Sequence, residues 1–181
     1  MQHQSFAVAA LTLALASYSH DASAAAPNLP DHDKPPGVAD TAVTQGNIKN
    51  NICVPGYTDS LRPHTSETNV IKKRQLKEWG YADRTMLHYE EDHLISLQLG
   101  GDALDEGNLW PQPYSGKWGA RVKDTLEGEL KRRICSKPTN PDHISLKEGR
   151  DAISGDWIVA YDKYVCKRTP KLSAKMIAHC R

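Results

Sequence analysis

Between residues 88 and 97 the chain reads His88-Tyr89-Glu90-Glu91-Asp92-His93-Leu94-Ile95-Ser96-Leu97. Carboxylate oxygens are hard donors suited to a hard dication. An imidazole of ordinary pKa, ~6.5, can take a proton from water near neutral pH, which makes His93 the candidate general base. In an extended segment Glu90 and Asp92 share one face and His93 takes the other. Further on come Gly100-Gly101, then Asn108-Leu109-Trp110-Pro111, then Lys123-Asp124.

These groups need elements to hold them. Residues 88–95 read as a strand, Gly100-Gly101-Asp102 as turn material, and 108–110 as a short return strand ended by Pro111 and Pro113. The expected result is a hairpin with a long loop. Trp118, Val122, Leu126, Leu130 and Ile134 recur at four-residue steps and predict a helix over about 117–137, stopped by Pro138. On that helix Asp124 lies about 160° from the centre of the apolar stripe. It is either a ligand or part of a solvated acidic face on which Glu127 pairs with Lys131. Upstream, Ser66 or Thr68 can cap a helix over 69–79 whose polar face carries Lys72, Lys73, Arg74 and Lys77. Downstream, the capping box Ser145-Leu146-Lys147-Glu148 opens a last helix with Leu146, Ile153, Trp157, Tyr161 and Tyr164 on one face. The fold class expected from this order is α+β.

The run Asp92-His93, then Gly100-Gly101, then Asn108-Leu109, then a helix with Lys123-Asp124 resembles the HNH, or ββα-metal, endonuclease superfamily, and most of all its secreted bacterial members. The resemblance spans residues 89–134, and 52–164 more loosely. It implies a hairpin–helix core, with additional flanking helices, that hydrolyses phosphodiester bonds of DNA, with RNA as the alternative and with little sequence specificity. In that scheme Asp92 ligates the metal, His93 faces the water, and Asn108 holds the loop that positions His93. Glu90 is a second candidate ligand or an outer partner. The family's final ligand, an Asn or His on the helix, falls near Gly119 and Ala120, which cannot bind a cation through a side chain, so Asp124 is the substitute. Lys123 stands where the family often has a Lys and is expected to contact phosphate, together with Arg121, Lys72, Lys73 and Arg74. With oxygen donors dominating, the implied cation is Mg²⁺ first, with Mn²⁺, Ca²⁺ or, given His88, Zn²⁺ as alternatives.

Length and composition limit the rest. The 181 residues suffice for one ordinary domain, and 23 Lys+Arg against 22 Asp+Glu predict no general affinity for polyanions. The apolar run 6–16 followed by Ala22-Ser23-Ala24 reads as a signal peptide over 1–24 rather than a membrane anchor. Residues 25–51, rich in Pro, Ala, Asp and Asn, read as a flexible leader, with the folded domain over 52–181. Export to the periplasm or beyond makes the four cysteines a disulfide framework, and Cys53 with Cys135 and Cys166 with Cys180 is the favoured pairing. Six basic and no acidic residues from 163 to 181 form a candidate phosphate-facing tail. Two rival readings keep the fold: a non-catalytic module binding nucleic acid or an envelope partner, and an antibacterial nuclease effector with a cognate immunity protein.

Overall fold

The four-residue apolar step of the central helix organises the molecule. In the computed structural model, which describes residues 29–31, 33–167 and 178–180, Val122, Leu126, Leu130 and Ile134 of α2 (Ala120–Ile134) are all buried. They pack against α3 (Leu146–Ser154) and α4 (Trp157–Tyr161), which bring Leu146, Ile153, Trp157 and Tyr161 into the same core. The single last helix expected after Ser145 is broken at Gly155. Asp156 caps a new helix there, its Oδ1 accepting from Ile158 N at 2.9 Å and Val159 N at 3.0 Å. Beyond α4 a π-helical turn, Asp162–Cys166, delivers Tyr164 and Val165 to the core.

The hairpin consists of β1 (Tyr89–His93) and β2 (Leu109–Pro113), antiparallel, with Asp92 opposite Trp110 and His93 opposite Leu109. The return strand runs through Pro111 and ends at Pro113. Leu94 N donates to Asn108 O and Tyr114 N to His88 O, so even-numbered residues of β2 face β1. The prolines fall at odd positions, where a missing N–H costs no ladder bond. The outward carbonyls of Leu109 and Pro111 accept instead from Gln75 Nε2 and Tyr81 Oη, each at 3.0 Å. Gln75 belongs to α1 (Thr65–Glu78), which covers that side of the hairpin. This helix starts four residues before the expected 69 because His64 caps it. Its Nδ1 accepts from Ser66 N, while Glu67 Oε2 accepts from His64 N.

The expected leader is folded in its second half. Gly37 N donates to Gly107 O, Asp102 N to Val38 O and Asp40 N to Gly100 O, and Val43 and Ile48 are buried in the core. Two apolar side chains in a Pro- and Asp-rich stretch gave no periodicity to read, yet backbone pairing to the hairpin loop fixes them. The packed chain therefore extends upstream of residue 52, with Pro30 and Pro35 also buried and Leu29 against the core. Both disulfides form as expected, Cys53 with Cys135 and Cys166 with Cys180. The fold is α+β, with a small two-stranded sheet and two disulfides. No helix among the described residues is long and apolar enough to cross a membrane. The proposed signal peptide, and Arg168, Lys171, Lys175 and Arg181 of the basic tail, lie outside the described residues.

Candidate functional site

The loop between the strands is built around one side chain. Asn108 is fully buried; its Oδ1 accepts from Ile95 N at 2.8 Å and Val38 N at 3.3 Å, and its Nδ2 donates to Ile95 O at 3.0 Å and Asp102 O at 2.8 Å. The amide thus extends the strand pairing past the end of β1 and satisfies backbone groups that a long loop would otherwise bury unpaired. Gly100 adopts φ 69°, and a Cβ on Gly101 would lie 1.7 Å from Ile95 O, so the Gly-Gly pair is a steric requirement of the turn. Asp102 Oδ1 then accepts from Leu104 N and Asp105 N, an Asx turn that presents the Ala103 carbonyl.

That carbonyl lies 3.0 Å from His93 Nε2. A carbonyl can only accept, so Nε2 carries the proton and the neutral ring keeps its lone pair on Nδ1. Burial lowers the His93 pKa below the ordinary imidazole range; the neighbouring Asp92 opposes this without reversing it. A neutral imidazole with its donor side tied down is a base ready to accept a proton at Nδ1.

His93 lines a cleft together with Glu90, Glu91, Asp92, Asp124 and Glu127, closed on the α1 side by Arg62, Thr65 and Thr68. The sequence-predicted ligands Glu90, Asp92 and Asp124 are therefore brought to one place, as is His93. Glu90 Oε2 and both Glu91 carboxylate oxygens are buried without a hydrogen-bond partner among the described residues. Glu90 is pushed above the usual carboxylate range by burial and by Asp92 and Asp124; Asp124 is raised by burial and by Glu127, with Arg121 opposing. Glu91 is pushed up to about 8, mainly by burial. These shifts mark carboxylates withdrawn from water, with neighbouring acidic groups adding to the rise at Glu90 and Asp124.

Lys123 departs from its expected role. It is 1% exposed, and its Nζ lies 2.8 Å from Asp92 Oδ2, 2.7 Å from Glu127 Oε1 and 2.8 Å from the His93 carbonyl oxygen. Burial alone would lower its pKa, but Asp92 and Glu127 outweigh burial and keep the ammonium charged. With its contacts directed inward it is not available to a substrate phosphate. Glu127, expected on a solvated face with Lys131, is buried instead, and its Oε2 accepts from Ser96 Oγ at 2.6 Å.

The other basic groups are dispersed. Arg121 is exposed, 3.4 Å from the cleft residue Asp124 and lying over the Tyr114 ring. Lys73 is exposed on α1, whereas Lys72 Nζ donates to Tyr89 O and Arg74 pairs with Glu106. His88 pairs with Asp83 on the surface and does not line the cleft, which removes the reason to consider a His-rich Zn²⁺ site. Compared with known proteins, the chain matches no family model, and neither curated sequences nor solved structures give a significant match. The functional reading therefore rests on the site's own geometry. Sequence reasoning missed Glu127, Ser96, Asp102 and Arg62 as site residues; the i, i+4 spacing of Lys123 and Glu127 is the one signal that could have found one of them.

Proposed function

We propose that this protein is an exported, HNH-type, metal-dependent endonuclease that hydrolyses phosphodiester bonds of DNA or RNA with little sequence specificity. The observation that carries the reading is His93, which lines a cleft of carboxylates and donates from Nε2 to Ala103 O, so that the neutral ring keeps its lone pair on Nδ1. The hairpin followed by α2 supplies the element order that the resemblance requires.

The donor set suits a hard dication. Glu90 Oε2 is buried with no partner, and Glu90 and Asp124 are held above the carboxylate range by burial and by the acidic groups around them, a cost that a bound Mg²⁺ would relieve. Among the described residues no three His, Cys, Asp or Glu side chains converge on one point. Mg²⁺ does not require that, since it retains several waters and is commonly held by one or two carboxylates. Glu90 and Asp124 would hold the ion, which when bound would offset charge on the scissile phosphate and the leaving oxygen, whereas Asp92 is already paired with Lys123.

This chain's own residues do the remainder. His93 Nδ1 removes a proton from the attacking water. Asn108 and the Asx turn at Asp102 keep the ring oriented. Arg121 and Arg62, exposed at the rim, and Lys73 on α1 would meet the phosphate backbone, giving binding that weakens with salt. The disulfides fit an oxidising compartment. The ion pair between Lys123 and Asp92 is what favours the second reading, a non-catalytic nucleic-acid or envelope-partner module, because it occupies a candidate ligand. Calorimetric titration of the oxidised protein with Mg²⁺ and Mn²⁺, alongside plasmid digestion with and without EDTA, separates the two. Metal binding with EDTA-sensitive cleavage supports the nuclease, and binding of nucleic acid with neither supports the module.

A further inference from the structure

The buried ammonium of Lys123 has no part in the proposed reaction as derived so far, yet it is the most completely enclosed charge at the site. It touches three groups on two elements. From α2 it reaches Glu127 one turn away, and across to the end of β1 it reaches both the side chain of Asp92 and the backbone carbonyl of His93. Glu127 in turn accepts from Ser96 Oγ, and Ser96 Oγ accepts from Gln98 N to cap the turn at Leu97–Leu99. The strand end from Asp92 to Ser96 is therefore pinned to α2 at three points through one ammonium and one carboxylate.

We infer that Lys123 is a positioning residue for His93: its ammonium fixes the peptide carrying the base, while the Ala103 carbonyl fixes the ring. This inference rests on the nuclease reading for its kinetic consequence, but its structural content does not. The peptide of His93 is clamped on its carbonyl side by Lys123, and the next residue's N–H is taken by Asn108 O at 2.8 Å. With the backbone held on both sides, the ring meets Ala103 O in one rotamer. A surface lysine contacting phosphate would act on substrate binding. A lysine 1% exposed, with its donors spent internally, acts on the geometry of the reacting group. Loose positioning of a catalytic group by about 1 Å can cost on the order of 10²-fold in rate.

Lys123→Met keeps the aliphatic stem and removes the ammonium. Because it strands two buried carboxylates, Lys123→Met/Glu127→Gln and Ser96→Ala are made beside it; at least Ser96→Ala, which leaves every charge paired, should fold as the wild type does. Two readouts are taken on the oxidised full chain: kcat and KM on a labelled oligonucleotide with Mg²⁺, and the ring ¹⁵N shifts of His93 in the metal-free protein. The expected result is a fall in kcat of roughly 10²-fold for the lysine variants with KM nearly unchanged, a smaller fall for Ser96→Ala, and loss of the single Nε2–H tautomer in the ¹⁵N spectrum. A raised KM with kcat retained would make Lys123 a substrate contact and overturn the inference. So would folded variants that keep the wild-type tautomer and rate. If the wild-type protein cuts nothing, the nuclease reading fails, and the tautomer alone then decides whether Lys123 positions His93: unchanged shifts in the variants refute it, averaged shifts uphold it.

Discussion

The two sides of the cleft are built on opposite terms. On the hairpin-loop side, polar groups are matched: Asn108 makes four hydrogen bonds, Asp102 caps its own turn, and His93 Nε2 has its carbonyl. On the acidic side, Glu90 and Glu91 keep buried oxygens without partners among the described residues. A matched network is rigid and holds a single geometry, which is what a general base needs. An unmatched cluster is destabilising by itself and gains from any counter-charge that enters. On the proposed reading, the contrast separates what the fold supplies from what a cation and a phosphate would complete.

Removing Asn108 should break the matched side most. Asn108→Ala loses four hydrogen bonds and leaves the Ile95 amide and carbonyl buried, so a loss on the order of 3–5 kcal/mol is expected from urea unfolding. Retained stability would show that the loop does not depend on its amide. Opening the bridge between Cys53 and Cys135, which closes a loop with a sequence separation of 82, should cost on the order of 2–5 kcal/mol, read as a lower thermal midpoint in Cys53→Ser/Cys135→Ser.

On the unmatched side, Glu90→Gln and Asp124→Asn should raise the Mg²⁺ concentration needed for half-activation and shrink the rise in thermal midpoint that Mg²⁺ produces in the wild type. Unaltered Mg²⁺ stabilisation in both variants would remove them from the ligand set. The smallest effect belongs to Glu91. Its folded pKa, about 8, is raised above the unfolded value, so its contribution to stability is full below about pH 4.5 and is lost as pH rises through about 8. Relative to Glu91→Gln, the metal-free wild type should lose thermal stability between pH 5 and pH 9, roughly. Parallel curves would place Glu91 in water.

Much of this was legible in the residues. The four-residue step of Val122, Leu126, Leu130 and Ile134 gave α2, and the Gly-Gly and Asn-Leu spacing gave the hairpin. The leader was not legible, because its few buried apolar anchors, Val43 and Ile48 among them, follow no period, and the backbone bonds that tie it to the loop leave no trace in side-chain pattern. Lys123 was misread for a related reason. On a helical projection it sits beside the polar Asp124, and its burial depends on the end of β1 arriving over it, which is a tertiary event. The same event turns Glu127 from a surface partner of Lys131 into a buried link to Ser96. The early start of α1 kept Thr65 from being read as a cleft residue, since His64 is an unusual cap.

If His93 is a neutral, pre-oriented base in a nuclease site, single-turnover cleavage of plasmid DNA by His93→Ala beside the wild type will show it. With Mg²⁺ and both proteins oxidised and folded, the wild type should convert supercoiled to nicked and linear DNA, while His93→Ala should be slower by about 10²–10⁴-fold and bind DNA as tightly as before. Cleavage by His93→Ala at the wild-type rate would contradict it.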